Sequence, residues 1–202
     1  MNRIAAGFVC LACLGMSFGA MAQEAREPGG PNKPPVAQKA PAELRQDMLD
    51  SLFARLRSAN SPQESQIVEA AIWQLWMKSE SPTAEVLLGQ AVNALASGER
   101  WASLAILDRL VKVHPEFAEA WNKRATVYYM VGRYSDSLAD INRVLDLEPR
   151  HFGALSGLGM IKREQGDLKG ALAAFRDALA VNPQLEGAKQ AVEELSANER
   201  DI

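Results

Sequence analysis

A period of 34 residues is the feature that most restricts how this chain can fold. Seven columns of like residues keep that period over three copies: Pro115, Pro149 and Pro183; Gly98, Gly132 and Gly166; Leu104, Leu138 and Leu172; Ala91, Ala125 and Gly159; Leu87, Trp121 and Leu155; Leu107, Ile141 and Phe175; Leu110, Val144 and Ala178. A fixed period of this length is typical of stacked helical units, in which each unit completes its core only by packing on the next. We therefore expect such a stack over about half of the chain.

Two positions in each unit mark where its helices end. The glycine, such as Gly132, allows the left-handed backbone that closes one helix before a tight turn. The proline, such as Pro149, ends the second helix because it lacks an amide proton and clashes with the preceding turn. A small residue such as Ala125 lets the two helices of a unit approach closely. The pattern thus predicts three helical hairpins of equal length.

These columns resemble the tetratricopeptide repeat (TPR) family, with units at 84–117, 118–151 and 152–185. The middle unit carries the fullest signature: Trp121, Ala125, Tyr128, Gly132, Tyr134, Ser137, Ile141, Val144 and Pro149. The first unit is weaker, with Gln90 and Arg100 at places that are usually apolar. The resemblance implies an all-α fold, a right-handed superhelical solenoid of three TPR hairpins. As a whole, the chain is also similar to small periplasmic repeat proteins of Gram-negative bacteria.

The flanking segments have the pattern of end caps, which keep such stacks soluble. Residues 43–79 predict a degenerate N-terminal helical pair. Within it, Ser61 begins a helix as N-cap before a proline, with Glu64 completing a capping box, and Ser81 repeats the signal for the next helix. Residues 186–198 predict a C-terminal capping helix. The inward-facing residues expected at this end are Leu185, Ala188, Val192 and Leu195.

Residues 1–22 have the layout of a secretory signal peptide: a positive start, an apolar run, and small residues before an expected cleavage between Ala22 and Gln23. The apolar run is shorter than the roughly 20 residues that a membrane-spanning helix needs. We therefore expect a periplasmic or secreted protein without a stable membrane anchor after cleavage. Residues 23–42 hold five prolines and few large apolar residues, which predicts a disordered linker.

The charge and cysteine content argue against several classes of function. A net charge of -3 leaves no basic excess for nucleic acid. Both cysteines, Cys10 and Cys13, lie in the leader, so the rest of the chain has no thiol nucleophile. The two histidines, His114 and His151, occupy different places in their units and have no partners at metal-ligand spacing. We expect no enzyme activity, no metal site and no cofactor.

The resemblance also implies where a partner would bind. In TPR proteins the second, fifth, ninth and twelfth positions of each first helix face a concave groove. The candidate groove residues are Glu119, Asn122, Thr126 and Tyr129 in the middle unit and Gly153, Ser156, Met160 and Arg163 in the third. Asn122 can hydrogen-bond a peptide amide through both polar atoms, and Gly153 would leave room for a ligand backbone beside it.

Other features have simpler structural interpretations. The apolar stripe of the first unit, Leu88, Val92 and Leu95, could form a groove wall, but packing on the pair at 43–79 is favoured. Trp73 and Trp76 are favoured as core residues over an exposed edge for a partner.

Two more specific kinds of ligand site, a carboxylate clamp and a phosphate loop, are disfavoured. Family members that clamp a C-terminal carboxylate use lysine and asparagine at set groove positions, and here only Lys123 fits. Gly153, Gly157 and Gly159 only faintly match a phosphate loop, since they lie in a helical pattern with no preceding strand.

The leading functional hypothesis is an exported TPR scaffold or adaptor that binds a protein or peptide in its concave groove. The alternatives are a structural or oligomerising subunit, or an accessory factor of an envelope assembly complex. Nothing in the residues identifies the partner, its conformation or the oligomeric state.

Overall fold

The computed structural model describes residues 40–200, with side chains to residue 197. Within that range the chain forms nine helices and no strand: α1 Pro41–Ser58, α2 Pro62–Trp76, α3 Pro82–Ala96, α4 Arg100–Val113, α5 Ala118–Met130, α6 Tyr134–Leu147, α7 Phe152–Glu164, α8 Leu168–Val181 and α9 Glu186–Arg200. The predicted leader, its cleavage site at Ala22–Gln23 and most of the predicted linker lie outside the described residues. The first helix begins at Pro41, within the last two residues assigned to that linker.

The predicted helix ends are confirmed in their physical detail. Ser61 caps α2 by accepting a hydrogen bond from the Glu64 amide (3.2 Å), and Ser81 caps α3 in the same way. The glycines between the paired helices, including Gly132 with φ 76°, all have the left-handed backbone that favours glycine. One detail differs, because the Glu64 carboxylate accepts from the Asn60 amide rather than from that of Ser61.

Three consecutive hairpins, α3–α4, α5–α6 and α7–α8, form the repeat stack, and the first helices α5 and α7 also contact the preceding hairpin. Close approach within a hairpin is clearest at Gly159, where an added Cβ would lie 2.8 Å from the Phe175 ring. The small-residue column therefore has the packing role expected of it. At the end of the stack, α9 packs on α8 and buries Ala188, Ala191 and Leu195.

The N-terminal hairpin, α1 and α2, does not continue the stack. The apolar stripe of α3 was expected to pack on it, but Leu88 is instead buried in a core shared by α3, α4 and α5. The hairpin crosses to the third repeat, and its own core residues, such as Phe53 and Trp76, pack around Phe152 at the start of α7. Contacts between α1 and α8 complete this arrangement.

Polar contacts fix the N-terminal hairpin at the same place. Arg150 donates to Asp50 of α1 (2.6 Å). The buried Ser65 hydroxyl donates to the Asn182 side chain (3.1 Å), whose amide donates to Glu69 (3.1 Å). These bonds join residues 100 or more positions apart in sequence.

Burial gives the scale of this docking. Phe53, Trp76 and Phe152 are 1%, 7% and 1% exposed. At ~1.5–3 kcal/mol for each large apolar side chain removed from water, the three contribute on the order of 5–9 kcal/mol. The N-terminal hairpin is therefore a fixed part of the domain.

Candidate partner-binding surface

The eight candidate groove residues lie on α5 and α7, on the inner side of the repeat stack, and they fall into two groups. Near the start of α5, Glu119 is completely buried and Asn122 is 7% exposed. Near the end of α5, Thr126 is exposed and Tyr129 is half-buried. The surface is thus closed at one end and open at the other.

The closed end is a polar network around Glu119. Its carboxylate lies 2.7 Å from Lys123 Nζ, accepts from Asn122 Nδ2 (3.0 Å) and lies 3.2 Å from His151 Nε2. Because His151 Nδ1 accepts from the Ala154 amide, its ring proton is on Nε2 and points to Glu119. These side chains therefore satisfy one another, and Asn122 has an internal partner in place of a peptide.

The electrostatics of Glu119 follow from this network. Burial raises the pKa of its carboxyl, but the hydrogen bond with His151 and the charge of Lys123 outweigh burial and hold the pKa below its usual range. The carboxylate is therefore ionised in the folded protein at neutral pH.

Helix α2 covers the closed end with two tryptophans. Trp76 stacks on the His151 ring with centroids 4.0 Å apart and planes 10° from parallel. Trp73 lies against Gly153, where an added Cβ would be 2.8 Å from the indole, and Lys123 Nζ is 5.1 Å from the Trp73 ring centre. The room predicted at Gly153 for a ligand backbone is thus taken by a side chain of the protein itself.

The core interpretation of the two tryptophans fits Trp76, which is buried, better than Trp73, which is half-buried at the edge of the open surface. Sequence reasoning did not place Trp73 at the groove. The available signal was Gly153 itself, because the corresponding place in the other two units holds a glutamate, Glu85 or Glu119.

Two cavities remain open, one on each side of α7. The α5–α7 cavity, of about 160 Å³, is lined by Asn122, Ala125, Thr126, Tyr129, Ser137, Ile141, Gly153, Ser156, Gly157, Met160 and Ile161. The α7–α9 cavity, of about 330 Å³, is lined by Glu69, Trp73, Phe152, Gly153, Ser156, Met160, Arg163, Phe175, Leu185, Gly187, Ala188 and Ala191. Seven of the eight candidate groove residues line one or both cavities, and Glu119 is the exception.

The open end has few polar groups, and most of them have partners. Tyr129 Oη lies 3.5 Å from Glu164, and Arg163 lies 3.8 Å from Glu194. Burial, together with the neighbouring charge of Glu164, raises the pKa of the Tyr129 hydroxyl, so the phenol stays protonated at neutral pH. Ser156 Oγ is buried without a hydrogen-bond partner among the described residues.

Residues 40–197 contain no group of three or more His, Asp and Glu side chains placed to hold a metal ion. No helix in the described part of the chain is long and apolar enough to cross a bilayer.

Comparison with known proteins agrees with this architecture. The family model for the tetratricopeptide repeat matches residues 88–134 and 122–186. A TPR repeat-containing protein of Rhizobium etli is 34% identical over 161 residues, covering 80% of this chain and 79% of the relative.

Solved structures show the same fold at lower identity. The first TPR of Spaghetti, bound to the HSP90 peptide SRMEEVD, has a TM-score of 0.57 at 17% identity, covering 60% of this chain and 96% of that one. A crystal structure of MamA has a TM-score of 0.55 at 16% identity, covering 78% of this chain and 84% of that one.

Proposed function

Because the chain belongs to the tetratricopeptide repeat family, we propose that it is an exported scaffold that holds a peptide or protein partner on the inner surface of its repeats. The observation that carries the proposal is the open end of that surface. Thr126, Tyr129, Met160 and Arg163 are accessible there, beside two mainly apolar cavities. Concave, mainly apolar sites with a few polar groups are typical of ligand binding.

The rigidity of the repeats favours binding. Helices α5 and α7 are held by the cores beneath them, so little conformational entropy is lost when a partner associates. A relative of the same fold holds a peptide.

Export is part of the proposal and is supported by residues 1–22. Their charged start, apolar run and small residues before Gln23 match a cleavable leader. N-terminal sequencing of the protein recovered from the periplasmic fraction tests this. Protein that begins at Gln23 supports export, and intact protein in the cytoplasm refutes it.

Binding is tested by replacing three side chains at the open end of the surface. The full chain and a Thr126→Ala/Tyr129→Ala/Arg163→Ala variant are used to capture proteins from an envelope extract of the source organism, with quantitative mass spectrometry of the bound fractions. We expect a specific partner to be lost from the variant, because these three side chains lie at or beside the open cavities.

The matched control replaces three exposed side chains on the second helices, Lys112, Asn142 and Arg176, by alanine. It should capture the partner as well as the unchanged protein does. Equal capture by all three proteins, or equal loss from both variants, would show that the inner surface does not bind the partner specifically.

Self-association is a second candidate function, favoured by apolar residues on the N-terminal hairpin. Leu44, Met48 and Ile67 are 50%, 54% and 70% exposed. Sedimentation equilibrium of the full chain separates the two functions. A stable dimer that a Met48→Glu/Ile67→Glu variant abolishes supports an oligomerising subunit, and a monomer at all concentrations excludes it.

A further inference from the structure

The linings and volumes of the two cavities indicate what kind of partner segment they fit. Ala125, Ile141 and Ile161 contribute to the apolar lining of the α5–α7 cavity. Leu185 and Ala188 contribute to that of the α7–α9 cavity. Each volume, about 160 and 330 Å³, is large compared with the ~30 Å³ that one water molecule occupies in the liquid. Each cavity therefore fits a large apolar side chain.

The ridge between the cavities has an unused hydrogen-bonding group. Gly153, Ser156 and Met160 of α7 line both cavities. The buried Ser156 hydroxyl has no partner in the described part of the chain, and a hydroxyl both donates and accepts. A peptide crossing the ridge can supply a main-chain N–H or C=O to it once the Ser156 side chain turns toward the surface.

The charges around the cavities favour a cationic partner. The basic groups are already paired: Lys123 with Glu119 at 2.7 Å, and Arg163 with an α9 carboxylate at 3.8 Å. In contrast, Glu69 in the α7–α9 cavity and Glu164 beside the α5–α7 cavity have no basic partner among the described residues. A basic side chain at either end of the peptide would meet an unpaired carboxylate.

The site also continues an interface that the protein makes with itself. The indole of Trp73 packs against α7 at Gly153 and also forms one wall of the α7–α9 cavity. A partner in that cavity would contact Trp73 directly.

We propose that the inner surface binds an extended, cationic peptide with two large apolar side chains, one in each cavity. Its main chain bonds to Ser156, and Lys or Arg residues at its ends face Glu69 and Glu164. A helix is ~10 Å wide. An extended chain of the polyproline II type rises ~3.1 Å per residue with three residues per turn, so side chains about three positions apart share one face and can span the ridge. This assignment rests on the proposed function, and it excludes acidic peptides such as the SRMEEVD bound to the structural relative.

The test selects peptides from a random 12-residue display library on the immobilised full chain. We expect enrichment of a pair of Leu, Ile, Met or Phe residues about three positions apart, with Lys or Arg outside the pair. Enrichment of Asp and Glu, or no enrichment, overturns the assignment. Either result leaves the proposed function to its own capture experiment, which does not depend on peptide chemistry.

A charge-neutralising variant then tests whether the two carboxylates recognise the basic residues of the selected peptides. Glu69→Gln/Glu164→Gln keeps the side-chain oxygen that accepts from Asn182 and removes both charges. It should weaken binding several-fold in isothermal titration, since each exposed ion pair is worth up to ~5-fold, while the apolar pair is still selected.

The matched control, Glu116→Gln/Asp177→Asn, removes two exposed charges outside the cavities and should bind like the unchanged protein. Equal weakening by the two variants would mean that only net charge matters, and the proposed placement of the peptide would be wrong.

Discussion

The docking of the N-terminal hairpin can be tested from the repeat side, through Phe152→Ala. Phe152 is 1% exposed, and its ring centre lies 5.5 Å from that of Trp73 and 5.1 Å from that of Trp76. It is the first residue of α7, so alanine there preserves the helix. The substitution therefore removes packing between the hairpin and the third repeat without altering either backbone.

The expected loss follows from burial. Replacing a fully buried phenylalanine by alanine costs ~3–5 kcal/mol, the transfer free energy of the ring plus the cavity that remains. At ~1.4 kcal/mol for each factor of ten, opening of the hairpin becomes roughly a hundred-fold to a few thousand-fold more frequent. Hydrogen exchange followed by mass spectrometry should show this acceleration in α1 and α2, with α5 and α6 still protected.

A second phenylalanine provides the control. Phe175 is 3% exposed but belongs to the core of α7, α8 and α9, so Phe175→Ala should accelerate exchange in those helices at a similar cost. Equal acceleration in every helix by Phe152→Ala would show that the hairpin does not open separately. Unchanged exchange in α1 and α2 would show that the hairpin is not docked on Phe152.

Three further predictions concern stability and are read from chemical or thermal unfolding. Gly132→Ala should destabilise the fold by ~1–2 kcal/mol because φ is 76° there. Gly89→Ala should instead stabilise the fold by up to ~1 kcal/mol, because Gly89 lies in mid-helix and nothing is within 4 Å of the new Cβ. Changes of the same sign in the two variants would refute the argument from backbone conformation. Asp140→Ala should cost about 2 kcal/mol because it removes both 2.7 Å bonds that Asp140 accepts from the largely buried Arg124, which keeps its 2.8 Å bond to Asp108. A change below 1 kcal/mol in urea unfolding would contradict this. Glu119 has a lowered pKa, so its ionised form stabilises the fold above the unfolded pKa of ~4.3 and that contribution is lost as the pH falls through the folded pKa. Glu119→Gln should therefore lower the Tm at pH 7 and reduce its further fall below pH ~4, and parallel Tm curves for the two proteins would exclude the effect.

The repeat stack could be predicted from sequence because its determinants are local and periodic. Gly132 needs only its own backbone angle to end a helix, and Ser61 needs only an amide three residues ahead to begin one. The small-residue column, including Gly159, predicts close packing because its large partner, Phe175, lies in the same unit.

The position of the N-terminal hairpin could not be predicted in this way. Its determinants join residues far apart in sequence, such as Trp73 with Gly153 and Ser65 with Asn182, and no period relates them. Trp73 of this hairpin fills the room expected at Gly153, so that part of the candidate surface is closed for this reason. Glu119 and Asn122 have the helix positions of groove residues, but each has a partner inside the protein.

The return of α2 to the third repeat has a consequence for how the molecule folds. In an open array each unit depends only on its neighbours, so the two ends can melt independently. Here Asp50 meets Arg150, and the start of the chain braces its final repeat. During synthesis, α1 and α2 have no surface to settle on until residues 150–185 have emerged from the ribosome. The loop that must close is long and costs entropy before any contact repays it. We therefore expect the N-terminal hairpin to dock last, after the repeats that follow it in sequence, unlike the one-by-one growth of an ordinary solenoid from its first unit.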